Sequence, residues 1–321
     1  MFGNLRLVAT EKFREYRANT DLFLKLGNEA FAAAIRAGIP GAASGEYQYR
    51  APWLLYHSWR QPRIQIDEHS AALIRDLMAG RECGSAHQPI MEKIRQLGWC
   101  DDELPVDLDE LVKRTADCFL AVQNDYELRH FLERVRNLQP RVVVEIGSAR
   151  GGMLFCFSQL AARDATLVSI DLPGAPNCGG QTETEREVFA TFGPVTQRFH
   201  FIPDDSHLAS SRERLVEFLA GRTIDLLFID GDHSYEGCLA DFDMYHDMVS
   251  PAGLIVFHDI CLFPEEWQGA GVGLAWQKLK ARYGGEEIID PEGVSTRQLS
   301  PGQHRSWGIG IVEASRVIQG G

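Results

Sequence analysis

From residue 141 to residue 152 the chain reads Arg141-Val142-Val143-Val144-Glu145-Ile146-Gly147-Ser148-Ala149-Arg150-Gly151-Gly152. Three successive valines and an isoleucine make a short β-branched run, the pattern of a strand covered on both faces. Glycines follow it directly, and a helical pattern runs over 151–162. A strand, a glycine turn and a helix are half of a βαβ unit, and the same alternation continues downstream. It predicts strands over 141–146, 166–170, 198–202, 224–229 and 253–258, with helices near 181–191, 209–220, 235–249 and 271–283. Two further strands, 286–289 and 307–313, are joined by a polar loop from Pro291 to Arg305 and predict an antiparallel pair. The fold class is α/β: a doubly wound, Rossmann-like sheet of five parallel strands with a terminal antiparallel hairpin.

Upstream of Pro140 the texture changes. Apolar residues at helical spacing run from 8 to 38 and stop at Gly38 and Pro40. A segment rich in Gly, Tyr, Trp and Pro follows from Gly41 to Arg63, its Trp53 and Trp59 being candidates for pocket lining as well as for core. Helical patterns then recur at 68–80, 89–98, 107–122 and 126–138. The expected organisation is a mostly helical accessory segment over 1–122, acting as a cap or in dimer formation, and a cofactor-binding domain over 123–321.

Composition excludes several classes. With 45% hydrophobic and 24% charged residues in 321, the chain is globular in type. No run approaches the roughly 18 apolar residues of a membrane helix, so a soluble, cytoplasmic protein without a membrane partner is expected. Seven cysteines, scattered and without a C-x-x-C pair, point to reduced thiols. Net charge is −13, of which residues 139–321 carry −11 with no basic stripe, which argues against nucleic acid as a partner.

In doubly wound sheets, ligands bind beyond the carboxyl ends of the strands, so those positions are the candidate site. At the first strand, Gly147, Ser148 and Gly151 form a turn before a helix N-terminus, where free backbone N–H groups meet a ligand. Glu145 lies two residues before Gly147, and a carboxylate there suits the sulfonium and ammonium of S-adenosylmethionine better than a pyrophosphate. Asp171, 24 positions beyond Gly147, is placed to accept from ribose hydroxyls, or to cap a helix. Asp205 and Ser206 follow the third strand and suit an adenine edge, or a cap for the next helix. The fourth strand ends Ile229-Asp230-Gly231-Asp232-His233-Ser234-Tyr235-Glu236-Gly237, and the fifth Phe257-His258-Asp259-Ile260. Adjacent strand ends would bring Asp230, His258 and Asp259 together as an oxygen-rich set able to hold a divalent cation.

From about Gln123 onward these motifs resemble class I S-adenosylmethionine-dependent methyltransferases of the branch that includes cephalosporin hydroxylase-like proteins and macrolide sugar O-methyltransferases. The string from Ile229 to Gly237, with Pro251-Ala252-Gly253 and Phe257-His258-Asp259-Ile260, carries the resemblance. It implies an O-methyltransferase acting on a hydroxyl of a small molecule, a sugar or glycosylated natural product. It also implies S-adenosylmethionine as cofactor, with magnesium as the accompanying metal. Glu145, Gly147, Ser148, Gly151, Asp171, Asp205, Ser206 and Asp230 are then the cofactor residues, Asp230, His258 and Asp259 the metal ligands, and Asp230 and His233 the catalytic pair with His233 as base. Two positions depart from the pattern: His258 stands where sugar-acting relatives carry a carboxylate, and Ala149 where many methyltransferases keep glycine. The alternatives are a cephalosporin hydroxylase-like protein that binds the cofactor without methyl transfer, and an NAD-dependent oxidoreductase, which would need a complete G-x-G-x-x-G. A homo-oligomer fits the resemblance as well as a monomer does.

Overall fold

The computed structural model describes residues 106–119, 123–149, 151–173, 196–294 and 304–319, with a few positions between 186 and 194. The expected helices before residue 106, the Trp53 and Trp59 cluster, and most of the helix expected at 181–191 lie outside the described residues.

Two helices precede the sheet, α1 (Leu108–Phe119) and α2 (Asp125–Leu138). Asn124 caps α2 by accepting from the backbone N–H of Tyr126 and Glu127, and Gln139 ends it in the left-handed conformation just before Pro140. There follow β1 (Val142–Ile146), α3 (Gly152–Leu160), β2 (Thr166–Asp171), β3 (Arg198–Pro203), α4 (Ala209–Leu219), β4 (Ile224–Ile229), α5 (Tyr235–Tyr245), β5 (Val249–His258), α6 (Val272–Tyr283), β6 (Glu286–Ile288), β7 (Gly293–Val294), β8 (His304–Arg305), β9 (Ile309–Glu313) and α7 (Ala314–Gln319). Seven strands form one sheet in the order β3-β2-β1-β4-β5-β9-β6, while β7 and β8 pair separately. The first five are parallel, and β9 runs antiparallel to both β5 and β6. The doubly wound Rossmann-like sheet with a terminal antiparallel pair is therefore what forms.

Strand side chains alternate between two cores, as the two-residue period of a strand requires. Val143, Leu167, Leu226, Phe228, Leu254 and Val256 pack with α1, α2 and α3 on one face. Val142, Val144, Val168, Leu227, Ile229, Ile255 and Phe257 pack with α4, α5, α6 and α7 on the other. Helix α1 lies before the expected domain start at 123, yet its Leu108, Leu111 and Val112 are buried in the same cluster as Phe131 and Phe228.

Two element boundaries differ from expectation. The helix expected to reach 249 ends at Tyr245, followed by one 3₁₀ turn over His246–Met248, and β5 begins at Val249 rather than 253. The register between β4 and β5 shifts between Ile224 and Leu226, so Pro251 sits at an irregularity where its missing N–H breaks no ladder bond. The polar stretch after Pro291 supplies the small β7–β8 pair.

Candidate active site

The ends of β1, β4 and β5 are neighbours, Ile146 facing Ile229 and Ile229 facing Phe257, so the residues just after them converge. Gly147 has φ +83°, and a Cβ there would lie 2.2 Å from the Asp230 carbonyl oxygen. Only glycine lets the β1 and β4 loops approach this closely. The volume that Gly147 leaves free is thus filled by Asp230 backbone, and that of Gly151 by the Phe189 ring. Both glycines are therefore required by the protein packed against them.

Glu145 is almost fully buried, and its Oε2 has no hydrogen-bond partner. Burial pushes its carboxyl well above the usual range against a hydrogen bond from Ser148, and the Asp230 and Asp171 charges push further. Ser148 Oγ also lies 2.7 Å from Ser169 Oγ. Asp171 accepts from Ala149 N–H at 2.8 Å, so it braces the glycine turn. Ala149 itself takes the left-handed φ of +43°, a conformation that glycine adopts at less cost.

Around Asp230 the chemistry concentrates. His233 Nε2 lies 3.1 Å from Asp259 Oδ2 and 3.5 Å from Asp230 Oδ1. One ligating atom from each of Asp230, His233 and Asp259 falls within 4.8 Å of the others. Burial pulls the His233 imidazole down, but the two carboxylates outweigh it and push it up to about 10. His258, expected as a metal ligand, uses its Nδ1 on the carboxylates, 3.2 Å from Asp230 Oδ1 and 3.0 Å from Asp259 Oδ1. Burial opposes its protonation, and the same two carboxylates hold it well above the ordinary histidine range. The atoms that lie within 4.8 Å of one another bring His233 into the group with Asp230 and Asp259, while His258 Nδ1 lies against both carboxylates from the other side. The two carboxylates suit a hard divalent cation, and the imidazole makes the mixed set equally suited to a softer one such as manganese or iron.

Asp205 and Ser206 go elsewhere. Asp205 Oδ1 accepts from His207 N–H at 2.9 Å in a local turn, and α4 starts after Leu208 without a side-chain cap, so neither Asp205 nor Ser206 caps it. His207 Nε2 lies 3.2 Å from Asp241 Oδ1, and Asp241 is fully buried. His246 is structural, its Nδ1 2.9 Å from the Phe242 carbonyl and its ring stacked on Phe242. Beside the site, Trp267 is 45% exposed with its ring centroid 5.8 Å from that of His233.

Sequence reasoning missed Glu127. Fully buried on α2, it accepts from Asp290 N–H at 3.0 Å, Trp307 N–H at 3.2 Å, Gly308 N–H at 2.8 Å and the Ser306 hydroxyl. Its partners are more than 160 positions away in the chain, so no local pattern marks it.

Residues 144–260 match the family model of a methyltransferase domain. That segment is similar to a methyltransferase domain. It contains every strand-end residue described above except those of the β9 side. An uncharacterized protein of Acanthamoeba polyphaga mimivirus is 33% identical over 134 residues, 40% of this chain and 58% of that protein. Another, from Sinorhizobium fredii, is 28% identical over 151 residues, 46% of this chain and 16% of that protein. The matches thus span about half of the first relative and a sixth of the second. Among solved structures, the MycE methyltransferase of the mycinamycin biosynthetic pathway, in complex with Mg, SAH and mycinamycin VI, is similar at 21% identity and TM-score 0.45, over 81% of this chain and 66% of that one. The O-methyltransferase TomG from Streptomyces achromogenes, in complex with SAM, gives 16% identity and TM-score 0.44 over 65% and 89%.

Proposed function

We propose that the methyltransferase domain transfers a methyl group from S-adenosylmethionine to a hydroxyl of a small molecule, a sugar or glycosylated natural product. The observation that carries this reading is the buried Glu145 carboxylate with an unpartnered oxygen, one strand away from the Asp230, His233 and Asp259 group. Burial above all, with the Asp230 charge adding to it, disfavours the ionised forms of Glu145 and Asp171, and a sulfonium or ammonium placed beside them would favour those forms again.

The transfer is in line: the methyl–sulfur bond breaks as the oxygen–methyl bond forms, and the hydroxyl proton must leave. An alcohol is a weak nucleophile at neutral pH, and a positioned base contributes roughly 10²- to 10⁴-fold. His233 Nε2 is the proton acceptor in this reading, with Asp230 and Asp259 orienting the ring and balancing its charge. In the free protein those carboxylates keep His233 protonated. Engaging them elsewhere returns the ring to the neutral form that a base needs. A divalent cation, magnesium by preference, would be held by Asp230 and Asp259 with His233 beside them, and would supply Lewis acidity to the acceptor oxygen. The half-exposed Trp267 offers a flat apolar face beside the base on which a sugar or aromatic ring stacks.

Calorimetric titration with S-adenosylmethionine and with NAD, each with magnesium or EDTA present, tests the reading. Micromolar binding of S-adenosylmethionine alone is expected. A folded protein that gives no heat with it would sink the proposal, and binding of NAD instead would favour the oxidoreductase alternative. His233→Ala should keep cofactor binding and lose turnover of glycosylated acceptors.

A further inference from the structure

Asp259 has a left-handed backbone, φ +63°, which a non-glycine residue holds only when its surroundings impose it. The residues after it are tied to the turn before β9: Ile260 N–H donates to the Gly308 carbonyl at 3.3 Å, and Cys261 N–H to the Trp307 carbonyl at 2.8 Å. The amides of those same two residues, Trp307 and Gly308, donate to the Glu127 carboxylate from the other side. Glu127 also holds Asp290 N–H and the Ser306 hydroxyl, so one buried side chain gathers four donors from the β6–β9 connection. Its neighbour Asn124 adds Nδ2 bonds to Asp290 Oδ2 at 2.9 Å and to the Arg305 carbonyl at 3.0 Å.

We infer that Glu127 is a positioning residue for the active site: it fixes the 306–308 turn, which in turn fixes the left-handed backbone that presents the Asp259 carboxylate to Asp230 and His233. The inference rests on the functional reading above. A buried carboxylate is a better hub than a neutral amide here because all four of its partners are donors. A glutamine of the same shape turns an NH₂ either towards the Trp307 and Gly308 amides or towards the Asp290 amide and the Ser306 hydroxyl, and in both orientations at least one backbone N–H faces a donor. The lever acts on Asp259 and not on the glycine turn of β1, which is braced separately by Asp171.

The test is a split between two ligands in the full-length protein, Mn²⁺ for the Asp230, His233 and Asp259 group and S-adenosylmethionine for the β1 turn, both by calorimetry on Glu127→Gln. Expected is a loss of at least tenfold in Mn²⁺ affinity with S-adenosylmethionine affinity within twofold of the parent. Asn124→Ala, which loosens the same connection without touching Trp307 or Gly308 amides, should keep Mn²⁺ affinity within about threefold. Should Glu127→Gln fail to fold, Ser306→Ala, which removes one donor and leaves the three amide bonds, should show the same split at a few-fold. Unchanged Mn²⁺ affinity in the folded variant, or equal losses of both ligands, overturns the inference. A parent protein that binds S-adenosylmethionine but not Mn²⁺ also overturns it while leaving the methyltransferase reading standing, whereas absence of S-adenosylmethionine binding strikes that reading alone.

Discussion

Gly147 shows how much one missing Cβ can decide. Its positive φ and the Asp230 carbonyl 2.2 Å from a Cβ position both forbid a side chain. Gly147→Ala should cost about 3 kcal/mol or more, visible in urea denaturation, and should abolish calorimetric binding of S-adenosylmethionine because the β1 and β4 loops are forced apart. Asp241 gives a second prediction. Burial, partly offset by the Ser206 and His207 contacts, pushes its carboxyl from 3.8 to about 6. A raised acid binds its proton more tightly in the folded state, so stability falls as pH rises from about 4 to about 6 and stays lower above that. Asp241→Asn removes this titration. Relative to the parent it should gain stability across that window, by up to about 3 kcal/mol given about 1.4 kcal/mol per pKa unit, measured by denaturation at pH 4, 5, 6 and 7. Equal pH profiles for the two proteins would show that Asp241 does not titrate there.

At the scale of elements, the parallel strands hold together through side chains as well as ladders. Asp225, in β4, accepts from the backbone N–H of Arg141 at 2.8 Å and of Val142 at 3.0 Å with one oxygen, pinning the start of β1 to β4. Asp225→Ala leaves two donors without this partner and should cost about 1–3 kcal/mol, read as a lower urea midpoint with unchanged slope. The strands themselves were legible because continuous β-branched runs between turn residues have few alternatives. The end of α5 was not: His246-Asp247-Met248 continues a helical pattern, and only pairing of Val249 with Ile224 of β4 pulls the chain into the sheet four residues early. The roles of Asp205 and Ser206 were equally undecidable, since an acid after a strand serves a ligand or a cap with the same local sequence.

Across the whole molecule, any ligand that binds the folded state alone stabilises it by mass action. S-adenosylmethionine at about 100 times its Kd should add about 2.7 kcal/mol and raise the melting midpoint by roughly 5 °C. A melt unchanged at saturating cofactor would contradict a preformed site. No helix among the described residues is long and apolar enough to cross a membrane.

The sequence by itself determined the α/β class, the five parallel strands with a terminal antiparallel pair, and the placing of Glu145, Asp230, His233, His258 and Asp259 at or just after the strand ends, because β-branched periodicity and strand-end chemistry are local signals. Tertiary structure alone decided that both imidazoles, His233 and His258, lie against the two carboxylates. It also packed protein against the Cα side of Gly147 and Gly151 and made Glu127 the hub behind Asp259. Those outcomes depend on side chains from strands and helices far apart in the chain arriving within hydrogen-bond distance, and a hydrogen bond has no signature along the sequence until the sheet has closed around it.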